Sequence, residues 1–218
     1  MELIGAGQAS QVFALNANRV LRRSGFDTAN EARLMRLLRQ AGFPTPEVFD
    51  AEAGDLVMER LRGPTLAVEL LAGRISPADA ADVLLGLHER LHRIEAPPWL
   101  PTAPRGIDLA GDGPARVLHL DLHPENVIIT EAGPYLVDWA NAAAGPAVFD
   151  IAVSWVILAG VDLVGYGAPA DLIESVRAGA LARLRAAAEA ALAEAIRYRR
   201  ADPNIDEAEI ARVLSELA

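Results

Sequence analysis

The run His119-Leu120-Asp121-Leu122-His123-Pro124-Glu125-Asn126, followed twelve residues after Asn126 by Asp138, constrains this chain more than anything else in it. Between Asn126 and Asp138 lie the β-rich runs Val127 to Thr130 and Tyr135 to Val137, joined by Glu131-Ala132-Gly133-Pro134. That pattern reads as a hairpin. A strand leaving Asn126 and an antiparallel strand returning to Asp138 bring the two side chains to one end of it. Two hard oxygen donors then converge, as a phosphate-bound Mg²⁺ requires. Asp121, on the loop before, faces the same point as a third carboxyl-type group placed to meet an incoming hydroxyl.

The rest of the chain falls into a strand-rich first part and a helix-rich second part. Val12 to Leu15 and Arg19 to Arg22 read as strands around the turn Asn16-Ala17-Asn18, and Glu47 to Phe49 and Asp55 to Glu59 as two more around Ala53-Gly54. Between these pairs, Asn30 to Gln40 sets Leu34, Met35, Leu37 and Leu38 at helical spacing, and Gly42, Pro44 and Pro46 end it. Leu61-Arg62-Gly63-Pro64 breaks the pattern, so the expected organisation is an N-terminal lobe over 1–62 and a helical C-terminal lobe over 63–218. Beyond the break, Pro77 to Ile94 is an expected helix with Ser76 as its N-cap. Further helices are expected over Phe149 to Leu158, over the alanine-rich stretch Asp171 to Arg200, and around Ile210, Val213, Leu214 and Leu217. The fold class is α+β and two-lobed.

Composition excludes several functions. With no cysteine among 218 residues, disulfides and thiolate metal sites are ruled out. A net charge of −10 argues against a nucleic-acid partner; a cationic ligand suits it, as do Asp108 and Asp112 in the loop before the 119–126 run, although simple solubility is the favoured account of the charge alone. The N-terminus lacks the basic flank and apolar core of a signal peptide, and the most apolar run, Ile151 to Val164, contains Asp162 and is too short to span a membrane. A cytoplasmic protein with no membrane partner is expected.

His-x-Asp-Leu-x-x-x-Asn resembles the catalytic loop of protein-kinase-like enzymes, and His123-Pro124 with Asp138-Trp139 make it most similar to the aminoglycoside phosphotransferase and choline kinase superfamily. The resemblance implies a protein-kinase-like fold and transfer of the γ-phosphate of ATP or GTP to a hydroxyl on a small, possibly cationic acceptor. Asp121 would orient that hydroxyl and accept its proton, while Asn126 and Asp138 would hold Mg²⁺. Gly5-Ala6-Gly7-Gln8-Ala9-Ser10 before the Val12 strand resembles the nucleotide loop, with Ser10 where a third glycine often stands. Arg22 occupies the position of the usual phosphate-contacting lysine, with Arg23 as competitor, and Glu31 lies on the helix that supplies its glutamate partner. Met58-Glu59-Arg60-Leu61 resembles the hinge whose main chain holds a purine, and Asp150 the aspartate that braces the catalytic loop.

Two alternatives follow from the same residues. Arg22 in place of lysine fits a catalytically silent nucleotide-binding protein, and a protein kinase shares the loop but carries a longer activation segment than the short interval from Asp138 to Phe149-Asp150. His119 is expected to brace backbone, and His123 either lies near phosphates or packs. His88 and His92 are one helical turn apart, a metal-ligand spacing, but on a leucine-rich face with no evident third ligand they read as core or boundary histidines.

Overall fold

The structure, a computed structural model, describes residues 1–6, 10–110, 113–165 and 168–217; Gly7 and Asp112 lie outside these. The chain forms two compact units, Met1–Pro64 with Val127–Ala140, and Thr65–Asn126 with Asn141–Ala218.

The first unit is built on an antiparallel sheet of β1 (Glu2–Ala6), β2 (Ser10–Ala14), β3 (Arg19–Ser24), β4 (Val48–Glu52) and β5 (Asp55–Glu59), in the order β1-β2-β3-β5-β4. After β3 the chain enters α1 (Ala29–Gln40), which buries Ala32, Leu34, Met35 and Leu38; Leu37, set beside them by helical spacing, is only half-buried. The hairpin of β7 (Val127–Thr130) and β8 (Gly133–Leu136) belongs to this unit rather than to the helical part of the chain. Backbone bonds hold it there, from the Ile129 N–H to the Pro64 carbonyl and from the Leu136 N–H to the Pro44 carbonyl, both at 2.9 Å. Gly63 makes the approach possible: its φ is +148°, and a Cβ at that position would stand 1.8 Å from the Ile129 carbonyl oxygen. The residues that end the strand pattern in the sequence are thus also the ones against which the hairpin docks. Its turn is Glu131-Ala132, closed by Thr130 Oγ1, which accepts the Ala132 N–H and donates to the Gly133 carbonyl. Pro134 falls in the strand, opposite Ile129, which a two-stranded edge tolerates.

The second unit begins with α2 (Leu66–Leu71), a helix the sequence reading left unassigned, capped by the Thr65 hydroxyl on the Val68 N–H. Ser76 caps α3 (Pro77–Leu91) on the Asp79 N–H, as expected, and this helix ends three residues before Ile94. Two short strands, β6 (Arg116–Leu118) and β9 (Ala143–Gly145), pair antiparallel and carry the chain into and out of the region of the 119–126 run. At three residues each they leave no alternation to read. The helix α4 (Ala147–Gly160) buries Ala152, Val153, Trp155, Val156 and Ile157 all round its circumference and packs against the helices that follow.

The single helix expected over Asp171 to Arg200 is instead a succession: α5 (Ala170–Ser175), a π-helical turn (Val176–Leu181), α6 (Ala182–Ala188), a 3₁₀ turn (Glu189–Ala191) and α7 (Leu192–Arg200). At the π turn, Gly179 lies against the first turn of α3, where a Cβ would come 3.3 Å from the Ala78 nitrogen. An alanine-rich sequence carries the propensity for one long helix; packing decides where it breaks. In α8 (Glu207–Ser215), Ile210 and Val213 are buried, whereas Leu214 is exposed. No helix among the described residues is long and apolar enough to cross a membrane.

Candidate active site

The run 119–126 leaves β6 as a loop whose backbone is held from beneath by α4. Both carboxylate oxygens of Asp150 lie 3.1 Å from the His119 nitrogen, and Oδ1 accepts the Leu120 N–H at 2.7 Å. Leu120 has a φ of +60°, a conformation that costs a branched residue about 1–3 kcal/mol and persists only where the surroundings impose it. Here Asp150 imposes it. His119, fully buried, accepts the Asp121 N–H on Nδ1 at 3.2 Å, so it braces the backbone as expected. Burial alone would push the Asp150 carboxyl up; the His88 and His92 rings beside it outweigh that and hold the group well below the usual carboxylate range.

Asp121 comes out of this loop partly exposed. The Asn126 amide nitrogen donates to the Asp121 carbonyl at 2.9 Å and lies 3.1 Å from His123 Nε2, which orients the amide and leaves its oxygen without a hydrogen bond among the described residues. His123 packs against Asn126 with its ring 3.8 Å from the Asp121 carboxylate.

In the first unit the polar centre is Arg22. Its guanidinium is buried and pairs through Nη2 with Glu31 and through Nη1 with Asp138 at 3.3 Å. Arg23 points outward to Asp55, so strand alternation turns only one of the two arginines inward. The other Glu31 oxygen accepts the Trp139 N–H at 3.1 Å, and the Trp139 indole donates to Thr45 at 2.9 Å, which fixes the backbone on one side of Asp138. Asp138 itself has a φ of +65° and a side chain 43% exposed. Burial raises the Glu31 carboxyl, and Arg22 pulls it back only in part. One oxygen of Asp138 faces Arg22; the second has no hydrogen bond among the described residues. The two residues expected to hold Mg²⁺, Asn126 and Asp138, therefore each offer an uncommitted hard oxygen, the donor chemistry such an ion takes.

Other expected residues are placed as follows. Ser10 opens β2 opposite Ser24, and Gly5 pairs with Val12 in β1, where an added Cβ would make only an ordinary contact at 3.8 Å, so packing does not demand the glycine. The Glu59 side chain accepts the Glu47 N–H and lies 3.6 Å from Arg39, turned onto its own sheet. Asp108 accepts the Ala110 N–H within its loop.

Sequence reading missed one group around Asp121. Arg105, in the strained turn Pro104–Gly106 with a φ of +50°, pairs with Asp202 at 2.8 Å, stacks 4.3 Å over the Tyr198 ring and reaches Asn141 at 3.3 Å; Asn141 in turn lies 3.5 Å from Asp121 Oδ2. Burial pushes the Tyr198 phenol up to about 12. These residues come from a loop and a helix far apart in sequence, and no spacing connects them. For His88 and His92 the expectation that no third ligand is at hand is corrected: Asp150, on α4, lies with both.

The model of the phosphotransferase enzyme family (APH) matches residues 1–108 and 81–203. Streptomycin 6-kinase of Streptomyces griseus is 30% identical over 133 residues, which cover 47% of this chain and 42% of that protein. The aligned part therefore spans less than half of that curated relative. Among solved structures, the ternary complex of APH(2″)-IIa with streptomycin and ATP is similar at a TM-score of 0.60 and 14% identity, over 99% of this chain and 90% of that one. A choline/ethanolamine kinase family protein from Mesorhizobium loti is similar at a TM-score of 0.52 and 20% identity, over 97% and 91%. At such identities the likeness is one of fold, the protein-kinase-like α+β fold with an N-terminal antiparallel sheet and a helical C-terminal part.

Proposed function

Since the chain belongs to the phosphotransferase enzyme family, we propose that it is a small-molecule kinase, transferring the γ-phosphate of ATP or GTP to a hydroxyl of a small acceptor. The observation that carries this reading is the catalytic loop itself: Asp121 stands partly exposed on a backbone held in a strained conformation by Asp150, with the Asn126 amide oriented beside it.

Asp121 takes the role of base. The acceptor hydroxyl forms its bond to the γ-phosphorus, the bond from that phosphorus to the bridging oxygen breaks, the nucleoside diphosphate departs, and the hydroxyl proton passes to the Asp121 carboxylate. Asn126 and Asp138 are assigned to Mg²⁺, which when bound supplies charge compensation for the triphosphate. Arg22, kept in place by Glu31, is assigned to the phosphates, Gly5, Gly7 and Ser10 to the loop covering them, and the main chain at Glu59 to the base. A hydroxylated cation is the favoured acceptor, on the strength of the −10 charge and of the relative named for streptomycin.

A nucleotide-consumption screen over hydroxylated metabolites and antibiotics, with Mg²⁺ and either ATP or GTP, tests the proposal. Acceptor-dependent consumption that disappears in Asp121→Asn is expected. Consumption restricted to protein substrates would replace it with the protein-kinase reading, and acceptors that are all neutral or anionic would remove the cationic preference alone.

A further inference from the structure

His88 is fully buried on α3, and each of its ring nitrogens faces one of the two α4 side chains that hold the catalytic loop. Nε2 lies 2.9 Å from Ser154 Oγ, and Ser154 donates its hydroxyl proton to the Leu122 carbonyl at 2.7 Å. A hydroxyl has one proton to give; with that proton on Leu122, Ser154 is the acceptor and Nε2 must carry hydrogen. The other nitrogen, Nδ1, lies 3.3 Å from Asp150 Oδ2 and has no hydrogen bond among the described residues. A bare lone pair held there, out of water, would face a carboxylate and be repelled by it. A proton on Nδ1 turns that repulsion into attraction and compensates the buried charge of Asp150. The groups around the ring are consistent with this. His92, which caps the C-terminus of α3, meets the same Oδ2 at 3.0 Å, and Asp150 and Ser154 come from α4.

We propose that His88 is a positioning residue for the reaction, protonated on both ring nitrogens, which ties the catalytic loop down on either side of Asp121. One tie runs from Nδ1 through Asp150 to the amides of His119 and Leu120, and the other from Nε2 through Ser154 to the carbonyl of Leu122. The loop needs both, because Leu120 is held at positive φ and Asp121 sits between the two anchored peptides. Its bearing on catalysis rests on the role proposed for Asp121. The competing occupant of the gap is a metal ion, since the ligand atoms of His88, His92 and Asp150 lie within 4.8 Å of one another.

The test is the ring spectrum of the full chain carrying ¹⁵N-labelled histidine, recorded at neutral pH after exhaustive chelation. The chain has four histidines, and Ser154→Ala, which removes the acceptor of the Nε2 proton together with the tie to Leu122, identifies His88 as the ring whose Nε2 signal shifts. One-bond N–H correlations from both of its nitrogens are expected. A bare Nδ1 in the chelated protein, or a stoichiometric metal in the protein as purified, overturns the proposal. The second readout is amide hydrogen exchange in His88→Gln: His119 and Leu120 should exchange at least about tenfold faster, as removal of the charge that compensates the buried Asp150 implies, while α7 and α8 keep their protection. Unchanged exchange at those two amides in the folded variant contradicts it. If His88→Gln does not fold, the ring spectrum of the unsubstituted chain decides alone. Neither readout involves nucleotide or acceptor, so failure here leaves the kinase reading standing, and failure of that reading leaves this result standing.

Discussion

Arg22 brings a broad guanidinium into a buried space that provides two carboxylates, and its Nε is left without a hydrogen bond among the described residues. A lysine would present a compact ammonium to the same two acceptors, so Arg22→Lys should change unfolding free energy by less than about 1.5 kcal/mol, the scale of one net hydrogen bond. Arg22→Met should cost about 3–5 kcal/mol, because it leaves Glu31 buried without its counter-charge. Denaturant unfolding of both variants checks the pair; similar losses in the two would mean that Glu31 does not depend on the arginine charge. The two proposed reaction-centre aspartates should also separate. Asp121→Asn should lower turnover by about 10²-fold or more while Mg-nucleotide affinity holds, whereas Asp138→Ala should weaken both. Near-normal transfer in Asp121→Asn would show that the base is misassigned. At this scale the motif spacing puts Asp121, Asn126 and Asp138 forward as candidates, whose roles are those proposed above. It could not reveal Asn141 beside Asp121, or Arg105, which reaches Asn141 from a strained turn.

Helix α4 supports the 119–126 loop, and the state of Asp150 should show in the stability of the whole chain. Its carboxyl is held below the usual range, so its contribution is fully present above the ordinary aspartate value of about 3.9 and is lost as the pH falls through the lower value of the folded state. The acid limb of thermal stability should therefore flatten in Asp150→Asn relative to the unsubstituted chain. Parallel limbs in the two would remove Asp150 from the account of acid stability. The elements themselves were legible where local chemistry fixes them: Ser76 and Pro77 at the start of α3, the apolar face of α1, the turn before β3. They were not legible where tertiary contact decides, as in the π turn over Gly179 or the three-residue strands β6 and β9.

For the whole molecule, the sequence order does not coincide with the compact units, because the β7–β8 hairpin, a two-stranded sheet of its own, belongs with the N-terminal unit, against which it packs at Gly63. A side chain there meets the Ile129 carbonyl, so Gly63→Ala should destabilise the first unit by a few kcal/mol or displace the hairpin, read as lost amide protection across Val127 to Leu136. Family membership and the proposed roles of the site residues converge on one requirement, that nucleotide binds with its metal. The measurement that tests it most directly is calorimetric titration of Mg-ATP and Mg-GTP, at millimolar concentration, into the folded chain and into Asp138→Ala. The account requires Mg²⁺-dependent binding of at least one nucleotide to the unsubstituted chain and clearly weaker binding to the variant. Absence of Mg²⁺-dependent binding to the unsubstituted chain, or equal binding to both proteins, would contradict it.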